Sequence, residues 1–196
     1  IRQAIKMPFK RFFSVILKMI IVVVFVVILG GALMKNIIMP KVLYPQNYRN
    51  YVEKYADEYG LDESLVYAVI KCESNFNSQA ISHKDARGLM QISEMTGIWA
   101  SEVLEIKDYS SDMLYEPDVN IHIGCWYLDK LIDQFGDENT AVAAYNAGSG
   151  NVSKWLMEEK HSSDGVSLDL IPFQETEKYV KKVEMTKKIY NYLYNN

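Results

Sequence analysis

The chain has 196 residues, a length that fits one domain or at most two. Seven of its 21 Lys and Arg residues lie before residue 42 with no acidic residue among them, so the rest of the chain carries 14 basic and 25 acidic side chains. This negative surplus would repel phosphate backbones, which argues against a nucleic-acid partner.

The first fifth of the chain is predicted to be a membrane anchor. The run 19–34 contains no charged or polar side chain, and a stretch counted from Phe12 is long enough to cross about 30 Å of hydrocarbon. A cleaved signal peptide is the alternative, but its apolar region would be shorter, and the segment 30–34 matches a cleavage site poorly. We therefore expect a retained transmembrane helix.

The charges beside this helix set the expected topology. Basic residues precede the anchor, which places the N-terminus in the cytoplasm and everything after Lys35 outside the cell. Pro40 and Pro45 indicate a short connection to the folded domain. The expected segments of this single-pass membrane protein are a cytoplasmic basic tail at 1–11, a transmembrane anchor at 12–34, a tether at 35–47 and a folded domain at 48–196.

The extracellular part is predicted to be all-α. Its apolar residues recur at helical spacing, Gly residues end several of the periodic segments, and no convincing alternating strand occurs. About 150 residues give one adequate hydrophobic core. Helices are predicted at 46–59, 63–76, 93–104, 118–135, 138–147 and 174–192.

Glu73 has an unusual place in the second of these helices. Asp62 is a plausible N-cap, and Val66 and Val69 belong to the apolar stripe of the helix. Glu73 follows Val69 by four residues and therefore continues the buried stripe rather than the solvated face. Because burial disfavours the charged form of a carboxyl group, this position predicts a raised pKa.

Other reaction types lack their residues in this sequence. The histidines His83, His122 and His161 lie in separate segments without metal-ligand spacing, and there is no phosphate-binding loop or zinc motif. A cysteine nucleophile needs a histidine partner, and neither Cys72 nor Cys125 has an obvious one. We therefore expect no metal and no cofactor, which leaves acid catalysis by a carboxyl group.

Four motifs occur in a fixed order: C-E-S-N-F-N at 72–77, G-L-M-Q-I at 88–92, A-Y-N-A-G at 144–148 and I-P-F-Q-E-T at 171–176. In this order they resemble the lytic transglycosylases of the soluble-lytic-transglycosylase (Slt) type, which cleave peptidoglycan glycan strands. The resemblance covers roughly residues 45–192. It implies a lysozyme-like fold with a substrate cleft between helical lobes.

The resemblance also implies a mechanism with one enzymic carboxyl group, Glu73. The enzymes of this family cleave the MurNAc-β-1,4-GlcNAc bond, and the C6 hydroxyl of N-acetylmuramic acid closes on its own C1 to give a 1,6-anhydro end. Such an intramolecular attack can have an effective molarity of about 10⁵ M or more when it is well oriented. Peptidoglycan is accordingly the expected partner of the domain, besides the membrane that holds the anchor.

The family's substrate-binding positions carry over residue by residue. Met90 could equally be a core-filling residue, Tyr179 a helix-packing residue and Ser82 a loop hydroxyl. The positions implied to bind substrate are Ser74, Ser82, Gly88, Met90, Gln91, Tyr145, Asn146, Glu175 and Tyr179.

One departure from the family pattern leaves an alternative chemistry open. Relatives usually have proline shortly after the G-L-M-Q turn, whereas this chain has Ser93 and Glu94. Goose-type lysozymes share the turn and carry an aspartate where Ser93 stands, but Asp85 could still activate water in a hydrolytic muramidase. A non-catalytic wall-binding scaffold is the third interpretation. A desolvated acid at Glu73 argues against it, because a protein that only binds the wall does not need one.

Cys72 and Cys125 are the only cysteines, and both are expected outside the cell. An even count in an oxidising compartment favours pairing, and a disulfide between two core helices would fix where Glu73 points. Two separate buried thiols are the alternative. We expect the disulfide.

Overall fold

The computed structural model describes residues 9–195, so most of the predicted basic tail lies outside the described residues. Within this range the regular structure is helical, and the predicted all-α fold is confirmed. Two isolated antiparallel bridges join Arg87 to Ile81 and to Ile92. No strand longer than these bridges occurs among the described residues. In chain order the elements are α1 (Phe9–Leu33), a π-helix (Met34–Leu43), α2 (Arg49–Glu58), α3 (Glu63–Ser74), α4 (Glu94–Val103), a 3₁₀ helix (Ser111–Tyr115), α5 (Pro117–Phe135), α6 (Glu138–Ala147), α7 (Ser149–Leu156) and α8 (Gln174–Tyr194).

The chain divides into two units, and the first ends at Pro45. Its helical stretch Arg11–Leu43 is 33 residues long and is apolar and long enough to cross a membrane. The predicted tether differs from the structure, because Met34–Leu43 is helical and contains Pro40. The apolar residues before Pro40 continue the helical pattern, and the wide π-helix accommodates a residue that lacks a backbone donor.

The second unit begins at Gln46 and contains the helices α2 to α8. Helix α3 packs on α8, α5 packs on α2 and α6, and α6 also contacts α7 and α8. Helix α3 is buried over seven consecutive residues, including the fully buried Leu65 and Ile70. Each such side chain contributes about 1.5–3 kcal/mol by leaving water, so α3 is held firmly up to its last turn.

Side-chain caps explain where the site-bearing helices begin. Asp62 accepts a hydrogen bond from the backbone N–H of Ser64 at 2.8 Å and starts α3 as predicted. Ser93 accepts one from the N–H of Thr96 at 3.2 Å and starts α4. Ser93 is therefore the N-cap of α4, and Glu94, at the position where the resemblance implies a proline, is the first residue of the helix.

Helix α7 is absent from the elements predicted by the sequence, because Gly148 and Gly150 resemble helix terminators. In the structure Gly148 has φ 87° and ends α6, while Gly150 lies in the first turn of α7. The two helices thus form a corner at Gly148, and this corner borders a groove in the surface of the domain.

Candidate active site

Glu73 is the second-last residue of α3, and the chain turns sharply after it. Asn75 and Phe76 both have positive φ values, 50° and 66°. A left-handed backbone is rare for an aromatic residue, and it persists here because the Phe76 side chain is buried near Tyr67. The turn ends the helix immediately after the Glu73 side chain.

The Glu73 carboxyl group is half-buried, and its surroundings favour the protonated form. Burial raises its pKa from 4.5 to about 7, while interactions with the Tyr179 hydroxyl and the Lys182 ammonium act in the opposite direction. A carboxyl group that still holds its proton near neutral pH can serve as a general acid.

Two tyrosine hydroxyls lie near this carboxyl group and differ in their bonding. The Tyr145 hydroxyl donates a hydrogen bond to the Met90 carbonyl oxygen at 2.8 Å, so its proton is already engaged. The Tyr179 hydroxyl is buried without a hydrogen bond of normal geometry among the described residues, and it interacts with Glu73. Burial and the Glu73 charge hold the pKa of both tyrosines well above the usual value, so both stay neutral.

The G-L-M-Q turn depends on a buried asparagine that the sequence analysis missed. The Asn120 side chain is fully buried on α5. Its Oδ1 accepts from the N–H of Met90 at 2.7 Å, and its Nδ2 donates to the carbonyls of Arg87 and Leu114 at 2.9 and 2.7 Å. No sequence signal marks Asn120, because its partners on the turn lie about thirty residues away.

A glycine is required at position 88 because the turn lies very close to Leu114 and Asn120 there. Its φ is 78°, and a Cβ atom there would lie 2.1 Å from the Leu114 carbonyl oxygen and 2.3 Å from Asn120 Nδ2. The role predicted for Gly88, close approach of the backbone, is thus seen against Leu114 and Asn120.

Met90 and Gln91 face opposite ways from the turn. The Met90 side chain is fully buried against Gly124, where a Cβ atom would lie 2.2 Å from its Sδ, so it fills the core. Gln91 is partly exposed, and its Nε2 donates to the carbonyls of Ala80 and Gly88 at 3.2 and 2.9 Å. The side-chain nitrogen of Gln91 thus holds the loop in place.

A groove passes Tyr145 and is formed by two adjoining cavities of about 220 and 440 Å³. Both are lined by Thr96, Tyr127 and Gly148, which makes them continuous. None of the described residues that line them is an aspartate or a glutamate. The smaller cavity adds Gln91, Ile92, Ser93, Tyr145, Asn146 and Ala147, and the larger adds Met95, Trp99, Lys130, Leu131, Gln134, Ser149 and Gly150.

The remaining predicted positions are held by local contacts. Asn146 borders the groove and accepts a hydrogen bond from the Thr176 hydroxyl at 2.8 Å. Ser74 donates to the Ile70 carbonyl at 3.2 Å, and Ser82 accepts from two N–H groups of its own loop. Glu175 is exposed in the first turn of α8. The structure thus gathers Glu73, Tyr145 and Tyr179 at one point, but of these three only Tyr145 lines the groove. Gln91 and Asn146 also line it, whereas the other predicted positions line neither cavity: Ser74, Ser82, Gly88, Met90 and Glu175.

Comparison with known proteins identifies the domain. The family described as Transglycosylase SLT domain matches residues 50–167, which is more than half of the chain. The chain belongs to this family. The predicted family and the lysozyme-like helical fold are therefore confirmed.

Several relatives of this SLT domain are much longer proteins. The soluble lytic murein transglycosylase of Salmonella typhimurium is 37% identical over 143 residues, which is 71% of this chain and 22% of that protein. The membrane-bound lytic murein transglycosylase C of Yersinia pestis is 31% identical over 167 residues, which is 73% of this chain and 46% of that protein. The chain therefore spans less than half the length of these relatives.

Solved structures of similar proteins share the fold. An inactive mutant of the lytic transglycosylase Slt from Pseudomonas aeruginosa superimposes with a TM-score of 0.70 at 36% identity, over 78% of this chain and 25% of that one. The 70-kDa soluble lytic transglycosylase from Escherichia coli gives a TM-score of 0.67 at 32% identity, over 76% and 25%.

Asp85, the alternative base for water, is engaged elsewhere in the SLT domain. It has φ 62° in the exposed loop, and its Oδ2 accepts from Arg87 Nη2 at 3.0 Å. Arg87 also lies 3.6 Å from Asp112. Asp85 thus belongs to a surface ion-pair network and lines neither cavity of the groove.

The predicted disulfide is wrong, because both cysteines of the SLT domain are free thiols. Cys72 Sγ lies 3.8 Å from the Thr186 hydroxyl on α8, whereas Cys125 is buried on α5, which packs on α2 and α6. Burial raises the pKa of both thiols. Cys72 faces α8, which does not rank among the helices packed on α5, and the alternative of two separate thiols holds.

Proposed function

We propose that this SLT domain is a peptidoglycan lytic transglycosylase that cleaves the MurNAc-β-1,4-GlcNAc bond and leaves 1,6-anhydro-N-acetylmuramic acid ends. One observation carries the proposal. Glu73 is half-buried and its pKa is raised to about 7, and its neighbour Tyr145 lines a groove whose described lining residues include no aspartate or glutamate.

In the proposed reaction Glu73 acts first as an acid and then as a base. Its proton goes to the bridging oxygen as the bond from that oxygen to C1 of N-acetylmuramic acid breaks. The C6 hydroxyl of the same sugar then bonds to C1 and gives its proton to the Glu73 carboxylate, so the enzyme is restored and no water is consumed. The substrate's 2-acetamido group assists, as the resemblance implies.

Hydrolysis would require a base that activates water, and a second carboxylate normally fills that role. Asp85 is the base that the sequence analysis kept as an alternative, but its carboxylate is paired with Arg87 in an exposed loop. An intramolecular hydroxyl needs no such base beyond Glu73. The names of the relatives, lytic murein transglycosylases, agree with this choice.

The proposed substrate contacts fall into two groups. Gln91, Tyr145 and Asn146 line the groove, which supports contacts between them and the sugars. Tyr179 acts on Glu73 from the opposite helix. The other proposed contacts, made either by the backbone or after the substrate binds, are Ser74, Ser82, Gly88, Met90 and Glu175.

We also propose that the N-terminal helix anchors the domain in the cell membrane, with the N-terminus in the cytoplasm and the catalytic domain outside. The helix is long and apolar enough, basic residues precede it, and one relative is named as membrane-bound. Protease added to intact spheroplasts should digest the domain and spare only a short N-terminal fragment. Full protection of the domain would reverse this topology.

The activity is tested on purified peptidoglycan with the full chain in detergent. Mass spectrometry of the released muropeptides should find anhydro ends, which are lighter by one water than reducing ends. The Glu73→Gln variant, prepared in parallel, should release neither. Reducing ends alone, lost on Asp85→Asn substitution, would make the protein a muramidase instead.

A further inference from the structure

The larger cavity of the groove contains an exposed tryptophan that takes no part in the proposed reaction. We propose that Trp99 forms a stacking subsite for a sugar ring of the glycan strand, at a distance from the bond that is cleaved. This inference rests on the proposed function, since it takes the occupant of the groove to be a chain of β-1,4-linked amino sugars.

The groove leads from Tyr145, a neighbour of Glu73, to Trp99 without interruption. Thr96, Tyr127 and Gly148 border both cavities, so a ligand that lies across Tyr145 can continue into the larger one. That cavity has a volume of about 440 Å³, within the usual range of ligand sites. We therefore assign the larger cavity to sugars of the strand beyond those at the cleaved bond.

The Trp99 ring is held in a fixed orientation while almost half of the residue stays exposed. Its centroid lies 4.7 Å from that of the buried Trp126 at an interplanar angle of 71°, and 6.3 Å from that of Tyr127 at 81°. Trp99 is 47% exposed. A rigid indole loses little entropy when a ligand stacks on it, and its face suits the apolar C–H face of a pyranose.

The surroundings favour a neutral polar ligand. Lys130 borders the cavity, but its Nζ already lies 3.6 Å from Asp129 and 3.7 Å from Asp133, so its charge is balanced. Gln134 and Ser149 add uncharged hydrogen-bonding groups at the rim. An aromatic wall with a neutral polar rim matches the hydroxyl and acetamido groups of an amino sugar better than it matches a charged peptide.

The exposed apolar face of α4 provides a matched control. Ile98 is 47% exposed, as Trp99 is, and lies directly before it in the helix, yet it does not line the larger cavity. If a protein partner covered this face, both residues would contribute to the binding. If a sugar stacks in the groove, only Trp99 would.

The test measures binding of an N-acetylglucosamine hexasaccharide to the full chain in detergent, in the Glu73→Gln background, by calorimetry. Trp99→Ala should weaken binding about three- to tenfold, the size of one aromatic contact. Trp99→Phe should retain most of the affinity, and Ile98→Ala should bind as the parent does. Thermal unfolding of each variant shows whether α4 is intact.

Three results would overturn the subsite: no binding by the parent, unchanged binding by Trp99→Ala, or equal loss in Trp99→Ala and Ile98→Ala. The outcome is independent of the proposed activity, because binding is measured without cleavage. If the unsubstituted chain gives anhydro products and Trp99→Ala binds as the parent does, the subsite is contradicted and the proposed activity is not. If binding depends on Trp99 but the unsubstituted chain gives no anhydro products, the proposed activity is contradicted and the subsite is not.

Discussion

Asn120 is a fully buried polar side chain and Glu73 is a half-buried one, and their surroundings differ. Asn120 lies fully buried on α5, and three hydrogen bonds tie it to the G-L-M-Q turn. Glu73, at the end of α3, has the Tyr179 hydroxyl beside it and the charge of Lys182, which together do not offset its burial. A buried polar group whose bonds are complete stabilises the fold, whereas a buried carboxyl group with incomplete bonding keeps a proton that it can transfer.

The largest expected effect comes from substituting Glu73, the reactive residue of the two. Glu73→Gln keeps the shape of the side chain but removes its acid, so turnover of peptidoglycan should fall by about 10²–10⁴-fold or more. Release of muropeptides over time measures the loss, and circular dichroism shows that the fold is intact. Activity within a few-fold of the unsubstituted chain would contradict the proposed role of Glu73.

The same variant has an expected signature in stability. The folded-state pKa of Glu73, about 7, lies above the ordinary 4.5, so folding is disfavoured progressively as the pH rises from about 4.5 to about 7. Glu73→Gln removes this penalty. Its free energy of unfolding should match that of the parent near pH 4 and exceed it by roughly 1–3 kcal/mol near pH 8.

The second prediction concerns Asn120 and the stability of the fold. Asn120→Leu leaves the N–H of Met90 and the carbonyls of Arg87 and Leu114 buried without their partner. The free energy of unfolding should fall by roughly 3–5 kcal/mol, as several unsatisfied groups accumulate. Denaturant unfolding monitored by circular dichroism measures this loss.

Asn120→Asp is the companion variant, because it keeps the acceptor for Met90 and loses only the two donated bonds. It too should be destabilised, and lowering the pH should recover part of its stability by protonating the new carboxylate. If Asn120→Leu unfolds at the same denaturant concentration as the parent, the hydrogen bonds of Asn120 do not hold the turn.

The third prediction separates steric clash from backbone strain at Gly88. Gly88→Ala would place a Cβ atom 2.1 Å from the Leu114 carbonyl oxygen, so the turn or the 3₁₀ helix Ser111–Tyr115 must move. Gly60→Ala is the matched control, since Gly60 has φ 64° with nothing within 4 Å of its Cβ position. The control should lose about 1–2 kcal/mol of unfolding free energy, and Gly88→Ala at least about 2 kcal/mol more. Equal losses would show that no clash occurs.

Local signals in the sequence predicted the elements that depend on neighbouring residues. Helix α6 lies at Glu138–Ala147 as predicted, because Asp137 caps its start and Gly148 ends it within the same segment. The position of Glu73 on a buried stripe followed from its spacing to Val69, and the raised pKa agrees with that reasoning. Both inferences need only the period of one helix.

The features that sequence patterns left undetected depend on contacts between distant segments. Helical periodicity shows which face of α3 or α5 is buried but not which helix covers it, and this is why Cys72 and Cys125 were paired wrongly. Asn120 escaped notice for the same reason, since its bonds to Arg87 and Met90 span about thirty residues. Trp99 is an ordinary apolar residue in a helix until the structure shows it exposed beside the groove.

The smallest expected effect concerns the charge of Lys182 and the pKa of Glu73. Because the acid form is required, kcat/KM should be constant well below pH 7 and fall as the pH rises through the pKa of about 7. The Lys182 ammonium donates to the Cys72 carbonyl at 3.2 Å, and its charge lowers the pKa of Glu73. Lys182→Met should therefore raise that pKa and move the alkaline fall to higher pH.

The shift should be about half a pH unit or less, because Lys182 is exposed and its charge is screened. It should shrink further at high salt for the same reason. Lys181→Met is the control, since Lys181 is also exposed but pairs with Glu177 and borders a different cavity. A shift to lower pH, or the same shift in both variants, would mean that the charge of Lys182 does not act on Glu73, and that burial and Tyr179 alone set its pKa.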